Sequence, residues 1–251
     1  MSTPFVAVPP RGYGGTELVV DTLARTLAAA GHEVAVFATG DSRVTGLRAL
    51  FPQAVWPPDP YVELLHCRWA ARDIARGGFD VVHAHTPAAL AFADEFHAPA
   101  VYTLHHVRDE RMGRYYALAP SALRVAISRR QAELERPAPE FVVHHGLDLD
   151  LYPDPPRRPG DLAFFLGRLS WCKGPELAIE AARRAGLRIV VAGGRHSDVD
   201  PHEGPDGWLD DVLAPALAGA HVRWLSQADL AAKRRLFARA RALLFLSLIH
   251  I

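Results

Sequence analysis

Strand-like and helix-like segments alternate along almost the whole of this 251-residue chain, and this alternation limits its fold more than any other feature. Short β-branched or aromatic runs are typical of buried strands, and here they are separated by stretches with apolar residues at helical spacing. Strands that alternate with helices form parallel sheets covered on both faces, so we predict an α/β fold. The predicted strands are residues 33–38, 80–84, 100–104, 123–127, 141–144, 162–166, 187–192, 222–225 and 242–246, and the predicted helices are residues 16–30, 61–76, 88–96, 175–185, 207–217 and 228–240, with a further helix capped by Ser128.

A proline-rich segment at residues 151–160 interrupts the alternation once and is the best candidate for a linker. We therefore predict two Rossmann-like, doubly wound parallel-sheet domains, residues 1–150 and residues 151–251. Ligands of such sheets bind beyond the carboxyl ends of the strands. A cleft between the two domains is the expected site.

The charge balance argues against some classes of function. Lys plus Arg and Asp plus Glu both number 28, which gives no electrostatic case for nucleic acid as a partner. A basic helix near residues 231–241 is interpreted as a solvated face with at most weak peripheral contact to lipid headgroups. The two cysteines, Cys67 and Cys172, suggest no disulfide framework, and no signal peptide is visible, so we expect a cytoplasmic protein.

A glycine-rich turn at residues 12–17 opens the first predicted helix. Glycines such as Gly14 and Gly15 let a backbone approach a ligand closely, and the free amides of a helix start attract anions. The turn is therefore a candidate for phosphate or sugar contact. A tight turn without a ligand is the alternative.

Two neighbouring predicted strands end in histidines. His83 and His85 lie at the end of one strand, and His105 and His106 follow the other. Polar residues at strand ends point to a ligand site, although a single histidine in such a place more often forms a structural hydrogen bond. The repetition at two strand ends makes both interpretations about equally good.

The loop at residues 165–174 is the most informative stretch. It joins a predicted strand to a predicted helix and carries Gly167, Arg168 and Lys173. A guanidinium, an ammonium and the amides of a helix start together suit a diphosphate. Only two of the 28 basic residues, Lys173 and Lys233, are lysine, which suggests that Lys173 is kept for more than its charge. Two solvated surface charges are the alternative.

Five segments together resemble the retaining glycosyltransferases of family 4, which have the GT-B fold. The resemblance implies a nucleoside diphosphate-sugar donor, most commonly a UDP-hexose, on the second domain and the acceptor on the first. It also implies that Gly14 and Gly15 form a glycine loop near both substrates, that His105 approaches the donor sugar, and that Arg168 and Lys173 contact the diphosphate. His85 and Gly167 are further expected binding residues. The segments are residues 9–17, 30–34, 79–85, 145–148 and 167–174.

The chemistry that the resemblance implies needs no metal. Transfer builds negative charge on the leaving phosphate, and fixed cations such as Arg168 and Lys173 can stabilise it. We therefore expect metal-independent transfer with retention and no cofactor.

The sequence departs from the family's pattern at both ends. Only residues 5–8 precede the glycine turn, between two prolines, where family members have a complete first strand. A Glu-Pro-Phe-Gly segment that contacts the donor is absent after residue 245, and we can assign no carboxylate to its role. We therefore expect an incomplete second domain, an exposed apolar edge at residues 243–249, and weak or no activity for this chain.

Three other interpretations stay open. His83 and His85, with His144 and His145, could form the metal site of a hydrolase, although the loop with Arg168 and Lys173 would then be unexplained. A nucleotide-sugar epimerase on the same scaffold would share the fold and differ in chemistry. A non-catalytic nucleotide-sugar binder would agree with the absent carboxylates.

Overall fold

The structure, a computed structural model, describes residues 1–12, 14–106, 109–152, 160–194 and 205–246. It divides into two compact units, residues 1–147 and residues 148–251. The boundary predicted from the sequence follows residue 150. Each unit is built around parallel strands connected by helices, so the predicted α/β class is confirmed.

The first unit contains two sets of parallel strands. Four strands form a sheet in the order β3-β4-β5-β6, and β1 pairs with β2. A 3-10 helix, residues Pro87–Glu95, replaces the α-helix predicted at residues 88–96. The strands are β1 (Val36–Ala38), β2 (Leu47–Ala49), β3 (Val82–Ala84), β4 (Ala100–Thr103), β5 (Leu123–Ala126) and β6 (Phe141–Val142), and the helices are α1 (Gly15–Ala29), α2 (Pro60–Gly77), α3 (Glu110–Ala117) and α4 (Arg129–Leu134).

Residues 1 and 2 connect the two sets of strands. The amide of Ser2 donates to the carbonyl oxygen of Phe37 in β1 at 2.9 Å. On the other side, the Met1 amine donates to the His83 oxygen in β3 at 2.6 Å, and the His85 amide donates to the Met1 oxygen at 3.0 Å. Residues 1–12 contain no assigned strand, but this short extended segment lies where a central strand would join β1 to β3.

Local sequence signals explain where several helices begin and end. Asp59 caps α2 by accepting hydrogen bonds from the amides of Tyr61 and Val62, and Gly78, with φ 64°, ends the helix in a left-handed conformation. Ser128 caps α4 as predicted, because its hydroxyl accepts a hydrogen bond from the amide of Gln131 at 3.0 Å.

The core of the first unit lies around β3 and β4. Phe96, Tyr102, Leu104 and Tyr116 are all at most 2% exposed. Burying an apolar side chain of this size contributes about 1.5–3 kcal/mol relative to leaving it in water. This packing fixes β4, and therefore the position of the residues that follow it.

The second unit is a four-stranded parallel sheet in the order β10-β7-β8-β9. The central strands β7 and β8 are almost fully buried, and the chain crosses to the other side of β7 after β9. The carboxyl end of β7 therefore lies where the strand order reverses, which is where doubly wound sheets bind ligands. The strands are β7 (Leu162–Leu166), β8 (Arg188–Ala192), β9 (Val222–Leu225) and β10 (Ala240–Leu243), and the helices are α5 (Pro175–Arg184), α6 (Ala214–Leu217) and α7 (Leu230–Arg239).

The structure differs from the predicted elements in a few places. The helix predicted at residues 207–217 is a π-helix, Trp208–Leu213, that continues into α6. The last predicted strand, residues 242–246, begins earlier, as β10, and forms an edge of the described sheet, with Leu243 46% exposed. Most of the predicted linker, residues 153–159, lies outside the described residues. None of the described helices combines the length and the apolar character needed to cross a bilayer.

Candidate functional site

The glycine turn of the first unit contains two glycines with different requirements. Gly14 caps α1 with φ 153°, and a Cβ there would lie 2.6 Å from the Cβ of Pro10, so only glycine fits. A Cβ on Gly15 would meet no described atom within 4 Å. Contacts among the described residues therefore do not require glycine at position 15. A ligand that approached the backbone closely would require it. Tyr13, between Gly12 and Gly14, lies outside the described residues.

A carboxylate that the sequence analysis did not single out lies beside this turn. Glu17, in the first turn of α1, is only 5% exposed, and its Oε1 accepts a hydrogen bond from the hydroxyl of Thr3 at 3.0 Å. Burial raises the pKa of the Glu17 carboxyl, while its own backbone amide and Thr3 partly offset that rise. The start of α1 therefore already holds a buried carboxyl group of the chain.

The histidines at the ends of β3 and β4 form one continuous group. His83 Nε2 lies 2.8 Å from the hydroxyl of Thr103, and His85 Nδ1 lies 2.9 Å from His105 Nε2. The rings of His83 and His85 stack with centroids 4.3 Å apart, and those of His105 and His145 stack at 5.2 Å. We refer to His83, His85, His105 and His145 as the histidine stack.

The histidine stack is neutral at neutral pH. Burial lowers the pKa of His83 to about 4. Burial and the neighbouring histidines lower the pKa of His105 to about 3 and that of His85 well below its usual value. Partial burial also lowers the pKa of His145. These side chains therefore offer hydrogen bonds and not positive charge.

One shared hydrogen bond defines how His105 can act. Only one of His85 Nδ1 and His105 Nε2 carries the proton between them, so the tautomers of the two rings are coupled. The other ring nitrogen of His105, Nδ1, takes no part in this bond. His85 is only 5% exposed and contacts His105, so it is placed to support that ring.

His106, next in the chain, has two hydrogen-bond partners in the core, the kind of bond that the alternative interpretation of the strand-end histidines expects. Its Nε2 lies 2.8 Å from the hydroxyl of Tyr102 and 3.0 Å from that of Tyr116, both of which are buried in the core.

Among the described residues, no group of three or more His, Cys, Asp or Glu side chains is arranged to hold a metal ion.

In the second unit, the loop between β7 and α5 is anchored to the end of β8. The amide of Gly167 donates to the oxygen of Ala192 at 3.0 Å, and the amide of Leu169 donates to that of Gly194 at 3.1 Å. A 3-10 turn, residues Trp171–Lys173, then leads into Gly174, which caps α5. The loop therefore has a fixed backbone course, and Arg168 and Lys173 both lie on it, each partly buried.

Two glycines make this course possible. A Cβ on Gly193, at the end of β8, would lie 1.7 Å from the carbonyl oxygen of Gly167, so the strand ends could not come this close with any other residue. Gly174 has φ 60°, and a Cβ there would lie 2.8 Å from the oxygen of Leu246. Gly193 was missed in the sequence analysis, where the only signal for it is a pair of glycines after a predicted strand.

The surroundings of Lys173 orient its ammonium group. Its Nζ lies 5.7 Å from the centroid of the Phe245 ring, in the segment that follows β10. The start of α5 offers one free amide fewer than that of most helices, because its first residue, Pro175, has no N–H. Glu176 also lies in the first turn, where burial raises the pKa of its carboxyl. In this loop the positive groups are therefore chiefly the side chains of Arg168 and Lys173.

Comparison with known proteins places the chain in a family. The sequence model of Glycosyltransferase Family 4 matches residues 13–151, which is more than half of the chain. The chain belongs to Glycosyltransferase Family 4. No curated protein sequence matches the chain at a significant level.

Solved structures, among them that of a glycosyltransferase, share the fold of this family 4 chain. AviGT4, a glycosyltransferase involved in avilamycin A biosynthesis, matches 96% of the chain with 23% identity and a TM-score of 0.65. Sucrose-phosphate synthase from Thermosynechococcus elongatus matches 98% of the chain with 18% identity and a TM-score of 0.72. HepE from Anabaena, solved with UDP-glucose, matches 91% with 16% identity and a TM-score of 0.59. The predicted GT-B fold is thereby confirmed. The chain spans 64% of AviGT4, 73% of the synthase and 70% of HepE.

Proposed function

We propose that this protein transfers a hexose-type sugar from a nucleoside diphosphate-sugar to an acceptor, with retention at the anomeric carbon and without a metal. Membership of family 4 supports sugar transfer. The UDP-glucose bound to HepE favours a UDP-sugar as the donor. Retention rests on the resemblance to the retaining members of the family.

The observation that carries the proposal is the anchored loop after β7. Arg168 and Lys173 lie on a backbone that Gly167 and Leu169 attach to the end of β8. Their positive charges are held at the carboxyl end of a central parallel strand, where a ligand of this fold would bind. In this proposal the two side chains hold the donor diphosphate.

The charge that develops during transfer explains why these residues are needed. The bond between the anomeric carbon and the diphosphate oxygen breaks, and the leaving nucleoside diphosphate keeps the electron pair. The acceptor oxygen forms the new bond to that carbon, and its proton passes to the leaving diphosphate. Fixed cations that stabilise the leaving phosphate lower the barrier, and removing one such group costs about 10²–10³-fold in rate.

The first unit would supply the neutral contacts of the reaction. His105, whose pKa burial lowers to about 3, can hydrogen bond to a sugar without adding charge near the anomeric carbon. Gly15 leaves room for a substrate beside the start of α1. We propose that this unit binds the acceptor and that His105 contacts the donor sugar.

Donor turnover tests the proposal. The protein is incubated with UDP-glucose, with other UDP- and GDP-hexoses, and with candidate sugar acceptors, in the presence and absence of EDTA. We expect acceptor-dependent release of UDP that is weak, as the sequence predicts for this chain, and that EDTA does not reduce. Epimerised nucleotide-sugar formed without acceptor, or tight UDP binding with no turnover on any acceptor, would replace the proposal with the epimerase or the binder, respectively.

A further inference from the structure

The backbone on either side of His105 is held by a side chain from a neighbouring helix. Gln131 lies in α4, and its Nε2 donates to the carbonyl oxygen of Leu104 at 3.3 Å and to that of His106 at 3.0 Å. These are the two carbonyls that flank His105 in the chain. One side-chain amide therefore bridges the residue before His105 and the residue after it.

The other end of the same amide is fixed as well. The backbone amide of Ile127 donates to Gln131 Oε1 at 2.9 Å, at the end of β5. The backbone of Gln131 is itself held by the cap, because its amide donates to the hydroxyl of Ser128. Both N–H groups and the oxygen of the Gln131 side chain are thus used, and they tie the end of β4 to the end of β5.

Few side chains could replace this one. The position requires two donors for carbonyls and one acceptor for an amide, all on a planar group of this length. Glutamate lacks the donors at neutral pH, lysine lacks the acceptor, and asparagine is one methylene shorter. Leaving these carbonyls unsatisfied at a partly buried strand end is unfavourable, so the loop would move to find water.

We propose that Gln131 is a positioning residue for His105: it holds the loop so that the His105 ring stays between His85 and His145. The His105 ring stacks on His145, and its Nε2 bonds to His85, so its position depends on where the β4 loop is held. The expected effect of Gln131 on sugar transfer rests on the proposed function, whereas its effect on the position of the His105 ring does not.

Two neutral variants, Gln131→Met and Gln131→Asn, remove the bridge, and the second keeps a polar group in case the first does not fold. Arg130→Ala is the control, because it removes an exposed side chain from the same helix and leaves both the Gln131 side chain and its cap in place. The ring nitrogens of His105 are followed by ¹⁵N NMR over a pH titration, with the signal identified by its loss in His105→Asn. The kcat and KM of UDP-sugar turnover are measured in parallel.

We expect the pKa of His105 to rise by about one unit or more in both Gln131 variants, because water enters beside the ring, and to stay unchanged in Arg130→Ala. We also expect kcat to fall about 10- to 100-fold with little change in KM. An unchanged His105 titration in the folded Gln131 variants, or an equal shift in Arg130→Ala, would overturn the inference. If the wild-type protein transfers no sugar, the proposed function fails, and the titration still decides the role of Gln131.

Discussion

At the scale of single residues, neighbours in the sequence can have unrelated roles. His105 and His106 are adjacent, yet His105 joins the histidine stack and His106 bonds to two buried tyrosines. The sequence placed both at a strand end and could not separate them, because the distinction depends on Tyr102 and Tyr116, which pack against His106 only in the fold. A strand-end histidine needs its hydrogen-bond partners before it can be assigned.

Two glycine variants separate a structural requirement from a functional one. Gly15→Ala adds a methyl group where no described atom lies within 4 Å, so we expect unfolding stability to stay level or rise by up to about 1 kcal/mol. We expect UDP-sugar turnover to fall at least about tenfold, because the methyl group occupies the space proposed for substrate. Urea unfolding and steady-state kinetics measure the two effects.

Gly193→Ala tests a glycine that the packing of the chain itself requires. Its methyl group would lie 1.7 Å from the Gly167 oxygen, so we expect a loss of at least about 2 kcal/mol in the free energy of unfolding. Full activity in Gly15→Ala would remove the argument that a substrate approaches there. Normal stability in Gly193→Ala would contradict the described packing of the loop.

At the scale of elements, the sequence predicted strands well where both faces are buried. The predicted strands at residues 162–166 and 187–192 agree with β7 and β8 within one residue, because continuous apolar runs define them. By contrast, α3 was missed, since Tyr116 is its only buried residue and leaves no helical apolar pattern. The three-residue β2 was also missed, because none of its residues is buried and the segment shows no strand pattern.

The candidate site was predictable only in part. Parallel strands bring their carboxyl ends together, so the meeting of His85 with His105 follows from the strand positions. The bond between Thr3 and Glu17, and the reach of Gln131 to the β4 loop, depend on the paths of loops that no local pattern encodes. Sequence patterns therefore located the strand ends and missed the side chains that support them.

The buried carboxylate at the start of α1 gives a pH-dependent test. Because the pKa of Glu17 is raised in the folded protein, its protonated form favours folding, and that contribution is lost as pH rises through the folded pKa. We therefore expect Glu17→Gln to be more stable than wild type at pH 7 and equal to it near pH 4. Urea unfolding of both proteins at each pH measures this.

Glu33→Gln is the matched control, since Glu33 is exposed. It should show no comparable difference at either pH. If Glu17→Gln were less stable than wild type at pH 7, the carboxylate would be stabilising α1 and the proposed cost of its burial would be wrong.

At the scale of the whole molecule, buried histidines should make the fold sensitive to mild acid. Burial lowers the pKa of His66 and His83 to about 4 and that of His105 to about 3. The unfolded chain binds these protons near pH 6.5, so stability is full above that pH and falls as pH decreases towards the folded values. Each such group contributes a slope of up to about 1.4 kcal/mol per pH unit.

We expect the free energy of unfolding, measured in urea, to decrease steeply between pH 6.5 and pH 5. His66→Gln should reduce that slope, because His66 is fully buried, and His32→Gln, at an exposed position, should leave it unchanged. Equal stability of the wild-type protein at pH 7 and pH 5 would show that these histidines are hydrated or already charged in the fold.

Lys173 is proposed to stabilise the leaving diphosphate, and the two lysines of the chain allow a direct test of this claim. Lys173→Ala and Lys233→Ala remove the same side chain from the β7–α5 loop and from α7, respectively. The measurement is kcat/KM for UDP-glucose turnover in the wild-type protein and both variants. We expect a decrease of about 10²–10³-fold for Lys173→Ala, with unfolding stability within about 1 kcal/mol of wild type, and near-normal kcat/KM for Lys233→Ala. Near-normal turnover in Lys173→Ala, or an equal loss in both variants, would contradict the claim.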